Sequence, residues 1–323
     1  MTLRIASIVL VACCSLFAVP ARAQFPDKPI KIIVGNAPGG ATDIIARLVA
    51  KHISGPLGQP VIVENRPGAS GAVGAMAVAG SPPDGYTLGL AATSSMSVNP
   101  LLRKLQYDPK KDFTHLTLIA TIPHALIVNT NLPVTNLKEF ISYARARPTQ
   151  LNYGSAGGQS SVQHLAGAML NQMAAIQLTD VPFDAGGSKA VTELMAGRLD
   201  IMSLDLEGAL PFIVSGKVRA LAVAADSRIA QLPDVPTAAE AGLPGFLMRG
   251  WYGIVGPAGL PKDVAERLAK AMSDAVKTPE MREQLAHIAA TPEGRSLQSF
   301  GDFIEGERAK FAKIIKDGNI KVE

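Results

Sequence analysis

The sequence predicts an α/β protein of two lobes, each a mostly parallel sheet flanked by helices. Three observations carry that expectation. Short apolar runs alternate with helix-period runs from Ile30 onward, the pattern of βαβ units. One device, an apolar strand followed by a glycine-rich turn and an amphipathic helix, occurs twice, over 30–53 and over 151–173. The stretch 221–251 carries Pro233, Pro236, Gly242, Pro244 and Gly245, as a long return connection between lobes would.

The chain opens on Arg4, an apolar run over 5–19, and Ala21-Arg22-Ala23, which reads as a cleavage signal. Residues 1–23 are therefore expected to be a secretory signal peptide, with the mature chain starting near Gln24. The run is too short and wrongly flanked for a transmembrane helix. Leu10-Val11-Ala12-Cys13 resembles a lipoprotein box, but its use would leave too short an apolar region. Both cysteines, Cys13 and Cys14, leave with the signal. The mature chain then has no disulfide, no thiol chemistry and no thiolate metal site.

What remains is long enough for two modest cores. The chain is 47% hydrophobic and 18% charged, ordinary for a globular protein. Its formal net charge of +4 falls when Arg4 and Arg22 leave, and no basic run exists, so no nucleic-acid partner is expected. No second long apolar segment follows, so the mature protein is expected to be soluble.

The elements follow in order. A buried strand is expected over 30–34, and a helix over 43–53 with Ile44, Ile45, Leu48, Val49 and Ile53 on one face, stopped by 55–60. Strands follow at 61–64 and 86–91, with a small-residue helix over 70–79 between them. A pair of strands is expected at 116–120 and 125–129. The helix over 137–147 has Asn136 as N-cap and Glu139 at the reciprocal position. A strand at 151–153 leads through glycines into a helix over 161–174, and strands at 180–183, 200–204 and 218–224 follow, with a helix over 189–196. The last third reads as mostly helical, with Pro261 and Pro279 in first turns and a stripe of Phe300, Phe303, Ile304, Phe311 and Ile315 that reads as core packing. Lobe crossings are expected near 121–123 and 245–251, dividing the mature chain into 24–122 with 250–323, and 123–249.

The two glycine turns carry the chemistry. Gly35-Asn36-Ala37-Pro38-Gly39-Gly40-Ala41-Thr42-Asp43 leaves a strand and opens a helix. Free N–H groups and the positive dipole end there form an anion site, glycine admits close approach, and Thr42 adds a hydroxyl. Asp43 reads better as a helix cap than as an anion contact. Gly154-Ser155-Ala156-Gly157-Gly158-Gln159-Ser160-Ser161 repeats the logic with three hydroxyls and an amide. Each turn alone could equally be a tight connection without a ligand; two at strand carboxyl ends reinforce one another. Neither 36–45 nor 154–163 holds a Lys or Arg, which suits a releasable carboxylate better than a phosphate.

Catalytic readings are weak. The dinucleotide fingerprint, the P-loop and the nucleophile elbow are all missing, with Gly158-Gln159-Ser160-Ser161-Val162 only a near miss to the last. His52, His115, His124, His164 and His287 lack metal-ligand spacing, so no metal or cofactor is expected. His164 could reach a ligand or simply join a helix to a strand. Asp205 and Glu207 follow a strand and could be a base pair, a contact for a ligand ammonium or hydroxyl, or merely solvated.

Over essentially the whole mature chain the sequence resembles the Bug family, the periplasmic solute-binding components of tripartite tricarboxylate transporters. The landmarks are Ala37-Pro38-Gly39-Gly40 with Thr42-Asp43, Val63-Glu64-Asn65-Arg66-Pro67-Gly68, Pro83-Asp84-Gly85-Tyr86-Thr87-Leu88, Leu151-Asn152-Tyr153-Gly154-Ser155-Ala156-Gly157, Gln163-His164-Leu165-Ala166-Gly167 and Leu232-Pro233-Asp234-Val235-Pro236-Thr237. The resemblance implies a two-lobed type II periplasmic binding fold, not an enzyme, that closes on a small carboxylate and delivers it to membrane transporter subunits, as a monomer. It implies that two loops, here Pro38, Gly39, Gly40, Thr42 and Asp43 and then Ser155, Ala156, Gly157, Gly158, Gln159, Ser160 and Ser161, pinch the ligand carboxylate, with Thr93, Ser94 and Ser95 as a hydroxyl-bearing stretch. The family's ligands include di- and tricarboxylates, acidic amino acids, aromatic acids and nicotinate-like acids. Ser203-Leu204-Asp205 stands where Phe-Asp-Asn is common, so the acid is shifted by one place or lost from the pocket. A sensor that hands its closed form to a signalling partner, and a hydrolase using Ser160 and His164, are the alternatives.

Overall fold

The structure, a computed structural model, describes residues 25–156, 161–183, 187–318 and 320. The expected signal peptide and Gly157, Gly158, Gln159 and Ser160 lie outside the described residues.

The chain begins with β1 (Ile30–Val34), α1 (Ala41–Leu57), β2 (Val61–Asn65), α2 (Ala72–Ala79) and β3 (Thr87–Ala92). A wide turn (Ser94–Val98) and a short α3 (Asn99–Leu102) lead to β4 (Phe113–Asn129). The second series is α4 (Leu137–Arg145), β5 (Asn152–Ala156), α5 (Val162–Ala174), β6 (Thr179–Phe183), α6 (Gly187–Met195), β7 (Ile201–Asp205), α7 (Leu206–Val214) and β8 (Val218–Val223). The chain ends with β9 (Arg249–Pro257), α8 (Lys262–Lys277), α9 (Pro279–His287), β10 (Thr291–Pro292) and α10 (Gln298–Asp317).

The strands form two sheets that share β4. In the first, β1 lies between β2 and β3, all parallel, and β3 borders β9, which runs antiparallel to it. In the second, β5 lies between β6 and β7, all parallel, and β7 borders β4, again antiparallel. The order β2-β1-β3 is thus repeated as β6-β5-β7, each series ending against a long antiparallel strand. The twofold strand–turn–helix device of the sequence occupies equivalent places, after β1 and after β5. Strand β1 is buried on both faces except at Lys31, whose ammonium reaches Glu64 at 2.6 Å, as parallel strands covered by helices are.

Two stretches cross between the sheets. β4 pairs with β9 from Phe113 to Pro123, then with β7 from His124 and with β8 from Ala125. On the other stretch, Ala224 donates to the His124 carbonyl and His124 donates to the Met248 carbonyl, so β8 and β9 follow the same edge of β4 with 225–247 as an excursion between them.

Three expectations need correcting. The strand pair at 116–120 and 125–129 is a single strand, β4. Pro123 suggested a break, but it falls where β4 exchanges partners, and there a missing N–H disturbs the ladder least. The first helix runs past Gly55 and Pro56 to Leu57 and stops at Gly58, whose φ of 72° supplies the left-handed cap. The last third contains β9, nearly all buried, in a stretch taken as mostly helical. Helix α7, unrecognised in the sequence, begins directly at the end of β7.

The stripe on α10 is core, as expected. Phe300, Phe303 and Ile304 pack with Trp251 and Met96 under the first sheet, while Phe311, Ile314 and Ile315 pack with Leu126, Phe246 and Leu165 under the second. One helix therefore lies across both lobes.

Candidate functional site

The carboxyl ends of β3 and β7 approach the crossing from opposite sides. Ala92, the last residue of β3, is in register with Tyr252; Asp205, the last of β7, is in register with His124; and Ile122 is in register with Gly250. The carboxyl ends of β1 and β5 lie one strand further out on either side. Ligands of open α/β sheets sit in such a crevice.

On the first side the turn is held by Asp43. Its Oδ2 accepts from the Gly39 N–H at 3.0 Å and from Arg47 Nε at 2.9 Å; its Oδ1 accepts from Arg47 Nη2 and Asn65 Nδ2, both at 2.9 Å. Burial alone would raise this carboxyl, but the hydrogen bonds from Arg47, Asn65 and Gly39 outweigh it and hold Asp43 below the ordinary aspartate value. Asn65 also donates to the Asn36 carbonyl at 3.1 Å. Asp43 thus reaches back past the N-cap, Gly40, and its oxygens are occupied, but it does not cap the helix as expected: it accepts from the turn and from two side chains, and no side chain caps α1. The Gly39 amide is turned to Asp43. Ala41 and Thr42, in the first turn of α1, have amides with no acceptor inside the helix. A Cβ added at Gly39 or Gly40 would meet nothing within 4 Å, so this face of the turn is open. At Gly35 it would lie 2.6 Å from the Gly71 carbonyl, which is why α2 can pack so close behind the turn.

The hydroxyl stretch is divided in its roles. Thr93 Oγ1 accepts from the Trp251 N–H at 2.7 Å, tying the end of β3 to β9. Ser95 Oγ bridges back to the Ala92 backbone and is buried. The Ser94 carbonyl accepts from the Asn99 N–H, while its hydroxyl has no partner among the described residues, and the residue is partly exposed.

On the second side, Ser155 is fully buried with an Oγ that has no partner among the described residues. Ser161 caps α5, accepting from the His164 N–H at 3.1 Å, and Ala156 ends β5. His164 Nδ1 meets Asp180 Oδ2 of β6 at 3.0 Å, beside a cavity of about 90 Å³ lined by Tyr153, Gly167 and Asn171. This contact joins helix α5 to strand β6.

Asp205 is not a solvated strand end. Its Oδ1 lies 3.3 Å from Nε2 of His124, whose Nδ1 meets Ser203 Oγ at 3.0 Å. Tyr252 turns its hydroxyl to the same carboxylate. A Cβ on Gly250 would stand 2.6 Å from Asp205 Oδ1 and 2.8 Å from Tyr252 Oη, so only glycine lets both approach. Glu207 is raised above the ordinary glutamate value by burial and by the charge of Asp205. Sequence reasoning missed Arg47, Asn65, Gly250 and Tyr252. Of these, only Arg47 carried a signal, its i,i+4 spacing from Asp43.

Two parallel-sheet lobes joined by crossing strands, with a helix following the equivalent strand of each, define the class: the two-lobed periplasmic solute-binding proteins. Comparison with known proteins places the chain within it. Residues 45–320 match the tripartite tricarboxylate transporter family receptor, and the chain belongs to that family. BugT of Bordetella pertussis is 30% identical over 317 residues, covering 98% of this chain and 97% of its own. A Rhodopseudomonas palustris protein solved with adipate is 33% identical, covering 93% of this chain and 100% of its own, with a TM-score of 0.86. MatC from the same organism, solved with bound malate, is 34% identical, covering 90% and 100%, with a TM-score of 0.80. Among the described residues no helix is long and apolar enough to cross a membrane, and no cluster could hold a metal ion.

Proposed function

We propose that the protein captures a small organic carboxylate between its lobes in the periplasm and delivers it to the membrane subunits of a tripartite tricarboxylate-type transporter. On this reading the signal ends at Ala23, and the lobes are 24–122 with 250–323, and 123–249. The observation that carries the proposal is the repeated strand order, which gives β1 and β5 equivalent places on either side of one crossing, each followed in sequence by a lysine-free glycine stretch. The open N–H groups at the start of α1, with Thr42 beside them, take one side of the carboxylate. Ser155, Ala156 and the turn through Ser161 take the other, and Thr93 and Ser94 form the floor. Asp43 keeps its place in the site as the group that shapes the first turn. Relatives solved with adipate and malate support an acid ligand.

A thermal-shift screen of the refolded mature protein against a panel of organic acids tests this. A ligand present at a hundred times its Kd stabilises by about 2.7 kcal/mol and raises the melting temperature. A shift with a nucleotide or sugar, and with no acid, contradicts the proposal.

A further inference from the structure

We infer that Arg47 is a positioning residue of the anion site: it holds the Asp43 carboxylate away from the first turn of its own helix, and so leaves the amides of Ala41 and Thr42 free for the ligand. This rests on the carboxylate-capture reading above and adds a residue that touches no ligand.

The start of α1 departs from that of α4 in one respect. In α4, Glu139 stands at the third helical position and accepts from the Thr135 N–H at 2.7 Å, while the N-cap Asn136 accepts from the Glu139 N–H at 3.0 Å. Asp43 stands at the same position of α1 and reaches back in the same way, to the Gly39 N–H at 3.0 Å. The N-cap of α1, however, is Gly40, and no side chain caps the helix. The Asp43 and Ile44 N–H groups donate to the Gly40 carbonyl at 2.9 and 3.0 Å. Ala41 and Thr42 are left as donors without an acceptor in the helix.

Asp43 is the natural competitor for those amides. A carboxylate in the first turn is drawn to the free N–H groups and to the positive end of the helix dipole. Aspartate, with its short side chain, bonds readily to nearby backbone. Arg47 stands one turn further on and binds both oxygens, Nε to Oδ2 and Nη2 to Oδ1, each at 2.9 Å. Asn65, at the end of β2, fixes both partners: its Nδ2 donates to Asp43 Oδ1 at 2.9 Å, and its Oδ1 accepts from Arg47 Nη2 at 3.2 Å. A forked pairing of this kind fixes direction as well as distance, so the carboxylate is kept off its own helix. The pairing also cancels a charge that would repel an anion at the neighbouring amides. Burial opposes ionisation of Asp43, but the hydrogen bonds from Arg47, Asn65 and Gly39 keep it ionised, so protonation does not relieve that repulsion. The stretch 36–45 holds no Lys or Arg, which leaves Arg47 as the cation nearest to the turn in sequence. Its Nε and Nη2 are engaged by Asp43 and Asn65, so it acts on the ligand through Asp43.

The test is isothermal titration of the mature protein with acetate, succinate, glutarate, benzoate and nicotinate. The variants are then titrated with whichever of these binds the parent most tightly, and thermal melts check that each variant is folded. Arg47→Gln should weaken that acid about tenfold, because Asp43 then competes for the amides. Adding Asp43→Asn to Arg47→Gln should tighten binding again by about threefold or more, since the competing charge is gone. If Arg47 only braced the turn, removing Asp43 as well could not restore binding. An Arg47→Gln variant that binds within about threefold of the parent, or a double variant no tighter than Arg47→Gln alone, overturns the inference and leaves carboxylate capture standing. A parent that binds none of these acids overturns the capture reading itself.

Discussion

Asp43 and Glu207 are opposite cases of the same physics. Asp43 is buried but fully hydrogen-bonded, and its ionised form is favoured. A carboxyl held below its ordinary value stabilises the fold above that value and loses the contribution as pH falls through the folded one. Acid unfolding of Asp43→Asn should therefore be less steep than that of the parent below about pH 4, and at neutral pH the variant should be less stable by about 1–3 kcal/mol, since Arg47 and Gly39 lose their acceptor. Urea titrations across pH measure both. Glu207 has burial and Asp205 against it, so its folded value is raised. Folding then takes up a proton, and stability falls as pH rises from the ordinary glutamate range through the folded value. Glu207→Gln should raise the melting temperature of the unliganded protein at pH 7; a lower one would mean that Glu207 has a cationic partner.

At the scale of elements, close approach governs what the turns tolerate. Gly35→Ala would drive a Cβ against the Gly71 carbonyl at 2.6 Å, backbone against backbone, and should cost about 1–3 kcal/mol as β1 and α2 separate. Gly40→Ala meets nothing within 4 Å at a φ of −92° and should change stability by less than about 1 kcal/mol. Comparing their denaturant midpoints checks this, and equal losses would contradict the packing described. The same distinction marks what was legible in the sequence. Runs such as Ile30–Val34 and Ile201–Asp205 are buried almost throughout, so β1 and β7 could be read locally, whereas β5 runs on through Gly154, Ser155 and Ala156, which the sequence assigned to the turn. Asn136 and Glu139 announced α4, where Asn136 Oδ1 accepts from the Glu139 N–H at 3.0 Å. Strand β4 could not be read so easily, because its length is set by passing through two sheets, and β9 is set by pairing between β3 and β4; neither is coded by local punctuation. Pro123 and Gly250, read locally, argue for a break.

Across the whole molecule, α10 links the lobes. Phe300 and Phe303 anchor it below one sheet, and Phe311 below the other. Between them Glu307, buried, accepts from Lys310 at 3.0 Å and faces Arg249 beside the crossing. Burial lowers the Lys310 ammonium despite the favourable pull of Glu307. Phe311→Ala should destabilise by about 3–5 kcal/mol through the cavity it leaves. The two-lobed plan and the glycine turn after β1 were visible in the sequence because helix starts and glycines are local signals. The network that shapes the site was not, because Asn65, Gly250 and Tyr252 come together only through pairing between distant strands.

The central claim is that the two glycine turns grip one end of an organic acid between the lobes. A crystal structure of the mature protein with its tightest-binding acid tests that most directly. It should place the carboxylate against the amides of Ala41 and Thr42 on one side and the turn ending at Ser161 on the other, with the remainder of the molecule toward Asp205. A ligand whose carboxylate lies elsewhere, or turns that point away from each other when the acid is bound, would contradict the account.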